Sequence, residues 1–292
     1  VSDHEQLSQN TNDQSGASSL EGSGASSPGA QAEAADRLRH GSSFGAVAAA
    51  YAEHRPDYAE TAVRWALEPV WSRRPLRVID VGAGTGKLTA TLVRLGADVT
   101  AVEPDQNMLA ELHRELPSVR AVPGSAEEIP VPDGSADAVL AGQAMHWFDL
   151  DRAIPEIARV LTSAGVFAGL WNVEDDRVGW VAEFVEMSKR DASVTMLRWR
   201  DGGARSRQQG VIAAGSGLFH AGQTAEFENE QAQTADSLAA TVATHSNFLV
   251  MDEPERTRRL AEVRDFLQSR PETSHGEFVL PMVTVALRAR RR

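Results

Sequence analysis

The run Val78-Ile79-Asp80-Val81-Gly82-Ala83-Gly84-Thr85-Gly86-Lys87-Leu88 is an apolar strand that passes directly into three glycines spaced two apart. Glycine has no Cβ, so such a loop lets backbone N–H groups come closer to a ligand than other residues permit. Two phosphate chemistries fail on spacing. A dinucleotide fingerprint needs glycine at its first, third and sixth positions, and the sixth here is Lys87. A loop of the GxxxxGK[ST] type needs glycine at the position of Val81 and a metal-binding hydroxyl at that of Leu88. Two readings stay open: a turn that cradles another ligand, and a tight strand-to-helix turn with no ligand at all.

The next apolar run, Asp98-Val99-Thr100-Ala101-Val102, ends in Glu103. An acid at the carboxyl tip of a strand can accept both hydroxyls of a ribose, and its charge repels a phosphate. Glu103-Pro104-Asp105 equally suits the start of a helix, where acids and an early proline are favoured.

Taken together, these motifs resemble the class I S-adenosylmethionine-dependent methyltransferases, in particular the small-molecule branch that includes trans-aconitate methyltransferase-like proteins. The resemblance covers residues 44 to 172 and weakens toward the end of the chain. It implies S-adenosyl-L-methionine as cofactor and S-adenosyl-L-homocysteine as product. Asp80, Gly82, Gly84 and Gly86, with Ala83 between them, match the family's first motif, whose loop lies against the methionyl part of the cofactor. Glu103 matches the acid that holds the ribose, and Pro104 and Met108 follow it toward the cofactor. Gly124-Ser125-Ala126-Glu127 matches the segment that meets the adenine, and Gln143-Ala144-Met145-His146-Trp147-Phe148 the stretch beside the sulfonium and the substrate. Upstream, Phe44, Tyr51, Arg55, Pro56 and Tyr58 resemble the helix and turn that fold over the cofactor. Tyr51 and Arg55 are expected at the cofactor, and Tyr58, His146, Trp147 and Trp171 around the substrate. In a helix Phe44, Ala48 and Tyr51 share one face, which also suits plain core packing. The guanidinium of Arg55 suits the cofactor's carboxylate, and a solvated surface equally.

The elements that must position these residues alternate between helix and strand from 57 to 171, the pattern of an α/β fold with helices on both faces of a mostly parallel sheet. Strands are expected over 76–81, 98–103, 119–122, 137–142 and 165–171, with helices near 87–95, 105–115 and 151–161. Ile129-Pro130-Val131-Pro132-Asp133-Gly134 reads as a loop. Ligands of such sheets bind at the carboxyl ends of the strands, and every candidate above sits at one of those ends or at the entry to the domain. The family's Rossmann-like, doubly wound sheet has seven strands. A strand from 223, helices near 235–246 and 253–269, and a final strand from Phe278 to Leu287 would complete it. Residues 174–222, with Asp201-Gly202-Gly203-Ala204 and Gly215-Ser216-Gly217, read as a helical insertion or substrate lid. Residues 1–40 are Ser, Gly, Ala, Gln and Asp with almost no large apolar side chain, so a disordered tail is expected there. The domain would then span 41–292, with a covering helix and turn over 41–60, a cofactor-binding core over 72–172, and C-terminal strands and helices over 223–292.

Methyl transfer from a sulfonium is an in-line displacement, so the protein's main task is to hold donor and acceptor in line. A general base is needed only where the acceptor must lose a proton; a carboxylate is already nucleophilic at neutral pH. His146 is the leading candidate base, because it follows the fourth strand and an unperturbed imidazole titrates near neutrality. His54 and His245 are further candidates. Trp147 and Phe148 either wall the transfer chamber or fill core. Asp149 and Asp151 read as caps of the helix near 151. No set of His and acids has metal-ligand spacing, and the absence of cysteine removes disulfides, thiolate nucleophiles and thiolate zinc sites.

The net charge of −12 opposes non-specific binding to nucleic acid, whose phosphates call for basic residues. The chain also lacks the Asn/Asp-Pro-Pro-aromatic tetrapeptide of base amino-methylation after its fourth strand, where Gln143-Ala144-Met145-His146 stands. There is no apolar leader and no run near the roughly 18 apolar residues needed to span a bilayer, so a cytoplasmic protein is expected. Only Lys87 and Lys189 are lysine, and that arginine bias, with the alanine content, points to a GC-rich bacterial source. The expectation is an enzyme that methylates a small-molecule acceptor, at a carboxylate or hydroxyl oxygen. A non-catalytic cofactor-binding or interaction protein on the same fold is the competing class.

Overall fold

The computed structural model describes residues 48, 52, 53, 55–188 and 217–292. Tyr51, Phe44, His54, the tail over 1–40 and most of the expected lid lie outside the described residues.

The described residues form nine strands: β1 (Arg77–Val81), β2 (Asp98–Glu103), β3 (Arg120–Pro123), β4 (Ala136–Gly142), β5 (Leu161–Glu174), β6 (Gln223–Glu228), β7 (Gln231–Gln233), β8 (Phe278–Leu280) and β9 (Met282–Arg290). Seven of them form one sheet in the order β3-β2-β1-β4-β5-β9-β6. Strands β1 to β5 pair in parallel, while β9 runs antiparallel between β5 and β6. This is the doubly wound, mostly parallel seven-stranded sheet that the resemblance implied, with the parallel strands that the alternating pattern predicted.

Successive side chains along a strand face opposite sides of a sheet, and here each side has its own helices. Val78, Ala138, Leu140, Val166, Ala168 and Leu170 pack with Ala62, Val63, Ala66 and Leu67 of α1 (Glu60–Leu67) and with Leu88 and Leu92 of α2 (Lys87–Arg94). Ile79, Val81, Val139, Ala141 and Phe167 face the other way, onto Ala153, Ile154, Ile157 and Ala158 of α4 (Leu150–Val160). Between them in the chain, α3 (Gln106–Glu115) starts at an N-cap aspartate, Asp105, whose carboxylate accepts from the amides of Asn107 and Met108. Such a cap is worth about 1 kcal/mol and fixes where the helix begins, one turn past Glu103.

A second apolar cluster lies beyond the sheet. Trp180, Val181 and Phe184 of α5 (Gly179–Ser188) meet Leu238, Ala239 and Val242 of α6 (Ala235–Ala243), Phe248 of α7 (Ser246–Leu249), and Val263 and Leu267 of α8 (Glu253–Gln268). The β7–β8 pair joins the same cluster through Phe278 and Leu280.

Three expectations need correction. The strand read as continuous from Phe278 to Leu287 is split at Pro281, which has no N–H for a ladder; β8 pairs with β7, and β9 enters the main sheet. The helix read over 235–246 stops at Ala243, and α7 follows as a separate turn. The strand expected over 165–171 runs from Leu161 to Glu174, because β9 pairs with it from Val166 to Glu174. Among the described residues no helix is long and apolar enough to cross a membrane.

Candidate functional site

At the carboxyl end of β1 the chain leaves the sheet through Gly82-Ala83-Gly84-Thr85-Gly86 and enters α2. Gly82 has φ +67° and lies so close to the segment after β4 that an added Cβ would come within 2.6 Å of the Ala144 Cβ. Gly84 also has a positive φ, +56°, yet a Cβ there would meet nothing within 4 Å among the described residues. The loop therefore needs glycine at Gly82 for packing, whereas at Gly84 it presents bare backbone to open space. That is a cradle a side chain would fill.

The two acids around this loop differ in kind. Glu103, at the tip of β2, is buried and accepts from the Gly84 amide at 2.8 Å and the Asp105 amide at 2.9 Å. Burial raises its pKa, and those two amides hold the rise back. Each carboxylate oxygen receives one backbone donor, which leaves lone pairs on both for further donors. Asp80 is fully buried; its Oδ2 accepts from the Thr89 hydroxyl on α2 at 2.5 Å, while Oδ1 has no hydrogen-bond partner among the described residues. Burial pushes its pKa up, the Thr89 hydrogen bond holds it down in part, and the charge of Glu103 adds to the rise, to about 7. The hydroxyl of Thr85, in the same loop, is the other buried side-chain oxygen without a partner among the described residues.

The contrast with Asp137 is informative. It too is buried, at the start of β4, but it accepts from Arg73 at 2.8 Å and from the Arg77 guanidinium at 3.1 Å. Burial opposes its charge, yet these arginines outweigh that and hold its pKa below the ordinary carboxylate value. Buried polar atoms are nearly always paired, so two orphans, one at the end of β1 and one in the glycine loop that follows it, mark this corner as a place where a ligand's polar groups belong.

Around the loop the structure gathers most of the expected residues. Met108 is buried on α3 and Pro104 is exposed at its entry. In the turn after β3 Ala126 is buried, the Ser125 hydroxyl accepts from the Glu127 amide at 3.3 Å, and Glu127 accepts from the Asp149 amide at 2.7 Å. Asp149 thus occupies the N-cap position of α4, but its side chain makes no capping hydrogen bond, contrary to its reading as a cap. Asp151 lies in the first turn, where it favours the helix dipole.

At the end of β4, Gln143 adopts φ +52°, a left-handed conformation uncommon for a side chain with a Cβ and often found at functional sites. Its Nε2 donates to the Asn172 carbonyl at 2.8 Å. Ala144 packs under Gly82, and a short 3-10 turn over Met145–Trp147 follows. His146 is half-buried with its ring 4.5 Å from that of Trp147. Burial, with the charge of Arg55 adding, pushes its pKa down to about 4. Phe148 lies against Gly82.

The strap over 55–59 crosses these strand ends. Tyr58 is buried with its hydroxyl over Gly142, where a Cβ would come within 2.6 Å. Arg55 donates to the Thr244 hydroxyl and carbonyl, both at 3.0 Å, at the end of α6. Trp171 is placed differently from its expected part in a substrate pocket. Its ring lies over Gly169 and is buried in the core with Met145, Ile154 and Phe167. Thr85, Thr89 and Asn172 are site residues that spacing alone did not single out. The hydroxyls of Thr85 and Thr89 follow Asp80 at the turn into the helix, which is the signal that could have found them. Among the described residues no group of three or more His, Cys, Asp or Glu could hold a metal ion.

The family described as a methyltransferase domain matches residues 79–169. An uncharacterized methyltransferase of Mycobacterium tuberculosis is 40% identical over 248 residues, which covers 85% of this chain and 95% of that protein. A malonyl-[acyl-carrier protein] O-methyltransferase of Methylococcus capsulatus is 35% identical over 118 residues, 37% of this chain and 43% of that protein. Among solved structures, one assigned to the type II methyltransferases of Anaeromyxobacter dehalogenans covers 81% of this chain and 97% of its own, with a TM-score of 0.55 at 24% identity, and so shares the fold. With the seven-stranded sheet and the glycine loop at its carboxyl edge, these likenesses show that the chain belongs to the class I S-adenosylmethionine-dependent methyltransferases.

Proposed function

We propose that the protein binds S-adenosyl-L-methionine at the glycine loop and transfers its methyl group to an oxygen of a small-molecule acceptor, a carboxylate in preference to a hydroxyl. The observation that carries the reading is the open backbone at Gly84 beside two orphaned buried oxygens, Asp80 Oδ1 and Thr85 Oγ1. The donor set fits the group. Glu103 keeps lone pairs for a ribose diol, the loop between Gly82 and Gly86 takes the methionyl part, Ser125 to Glu127 with Met108 border the adenine, and Gln143 and Ala144 lie toward the sulfonium. Arg55, and Tyr51 ahead of it, cover the cofactor, with Tyr58, His146 and Trp147 toward the acceptor. Bound S-adenosylmethionine supplies an activated methyl group; the chain's own residues hold the two reactants in line and exclude water.

The preference for a carboxylate follows from His146. An imidazole with a pKa of about 4 is neutral throughout the physiological range and is a weak base. Taking a proton from a phenol-like hydroxyl of pKa about 10 would be uphill by about 8 kcal/mol, at about 1.4 kcal/mol per unit. A carboxylate acceptor has no proton to lose. The malonyl-directed relative is an O-methyltransferase by name, which supports an oxygen acceptor. On this reading His146 orients the acceptor. His146→Gln is expected to lower kcat/KM by about 10-fold or less and to leave the pH–rate profile between pH 5 and 8 unchanged in shape. A loss of 10²-fold or more together with a vanished limb in that profile would make it the base instead.

Calorimetric titration with S-adenosylmethionine and, in parallel, with NAD(H) tests the cofactor before any acceptor is known. Saturable binding of the first alone is expected; folded protein that binds neither would favour a non-catalytic role. Glu103→Ala should weaken S-adenosylmethionine binding by about 1–3 kcal/mol, through lost ribose bonds and the freed Gly84 amide. An unchanged dissociation constant in a folded variant removes Glu103 from the ribose.

A further inference from the structure

We propose that a buried polar cluster, Asn172, Asn229 and Thr284, is a positioning device that fixes the strap over 55–59 in its cofactor-covering place and so sets the affinity for S-adenosylmethionine; the inference rests on the function proposed above. All three side chains are buried, on β5, after β6 and on β9 respectively. Asn172 Nδ2 donates to the Pro56 carbonyl at 3.3 Å and the Asp57 carbonyl at 3.1 Å. Asn229 Nδ2 donates to the same Asp57 carbonyl at 2.9 Å and to Asn172 Oδ1 at 3.1 Å. The Thr284 hydroxyl donates to Asn172 Oδ1 at 2.6 Å and accepts from the Ala59 amide at 3.1 Å. The strap's backbone at Pro56, Asp57 and Ala59 is thus held by side chains from three separate parts of the sheet.

Burying three polar side chains is unfavourable unless each is satisfied, and a packed sheet face could have been filled with Val or Leu. What distinguishes this cluster is where its bonds go. They run to the strap, which carries Arg55 and Tyr58, and the carbonyl of Asn172 takes the side chain of the strained Gln143. Asp57 also faces the ammonium of Lys87, 3.4 Å away at the first turn after the glycine loop. One hub therefore ties the strap to the end of β4 and brings it across to the loop. If the strap leaves this position part of the time, the apparent dissociation constant rises as the inverse of the fraction that stays in place, so a loss of affinity of about 10-fold corresponds to roughly one molecule in ten with the strap held.

Thr284→Val keeps shape but removes the acceptor for the Ala59 amide and the donor to Asn172. Asn172→Asp keeps shape but sets a carboxylate oxygen, an acceptor, against the two carbonyls that the amide nitrogen donates to. Both variants are expected to raise the calorimetric dissociation constant for S-adenosylmethionine about 10-fold or more. Hydrogen exchange at the Asp57 to Ala59 amides should accelerate while the amides of β1 and β2 keep their protection, and Thr284→Ser should restore wild-type affinity. Thr284→Val tests the proposal if Asn172→Asp fails to fold. Folded variants that bind as tightly as wild type, or a loss that Thr284→Ser does not restore, would overturn it. Wild-type protein that binds no S-adenosylmethionine would overturn the functional reading and the affinity half with it, while the exchange of the strap amides still decides whether the cluster holds the strap.

Discussion

Gly84→Val is expected to fold with a loss of about 1–3 kcal/mol and to bind S-adenosylmethionine at least about 100-fold more weakly. The stability loss comes from a β-branched residue at φ +56°, since a Cβ at this position meets no atom within 4 Å among the described residues. The affinity loss comes from filling the space in which the ligand's backbone contacts form. Gly82→Ala provides the contrast. There a Cβ would lie 2.6 Å from the Ala144 Cβ, so the substitution must push the loop off the end of β4 and destabilise the fold itself. Thermal or urea unfolding separates the two variants, and titration with S-adenosylmethionine then reads the first. A folded Gly84→Val protein with wild-type affinity would show that the open backbone is not where the ligand lies.

Why the loop was legible and its surroundings were not has a physical explanation. Three glycines after an apolar strand, and an acid at the tip of the next strand, are short-range signals, and both stand where the pattern put them: Glu103 accepts from the Gly84 amide. The parallel sheet follows from the same alternation, because strands joined by crossover helices pair in parallel, whereas the order of its strands is not fixed by it. What spacing could not supply is who touches whom across the fold. Asn172 reads as one polar residue in an apolar strand, and its partners lie at Asp57, Asn229 and Thr284. Trp171 stands on the same strand and looks like an aromatic wall, but its parity on β5 turns it into the core over Gly169. Pro281 breaks an apolar run that composition alone would continue. His146 shows the same limit electrostatically. Its position after β4 was legible, but the burial and the nearby Arg55 that lower its pKa were not.

Asp80 gives the second large effect, in the pH dependence of stability. Its pKa in the folded protein, about 7, is above the ordinary 3.8, so the folded state holds a proton that the unfolded chain releases. The sign follows: this group's contribution is fully present below about pH 4, is lost as pH rises toward and through 7, and does not return above it. At about 1.4 kcal/mol per unit the loss is on the order of 4 kcal/mol. Asp80→Asn should abolish that slope and leave the ligand-free protein more stable than wild type at pH 8, because the amide oxygen can still accept from Thr89 and no charge is buried. Urea unfolding at pH 5 and pH 8 measures it. The same substitution should weaken S-adenosylmethionine binding, since a cationic ligand near the loop favours the ionised carboxylate. Wild-type binding near pH 7 would then release a proton, seen as a calorimetric heat that depends on the buffer's ionisation enthalpy and absent in Asp80→Asn. A slope that survives the substitution would place the buried proton on another group, and the orphaned Oδ1 would lose its meaning as a site for a cation.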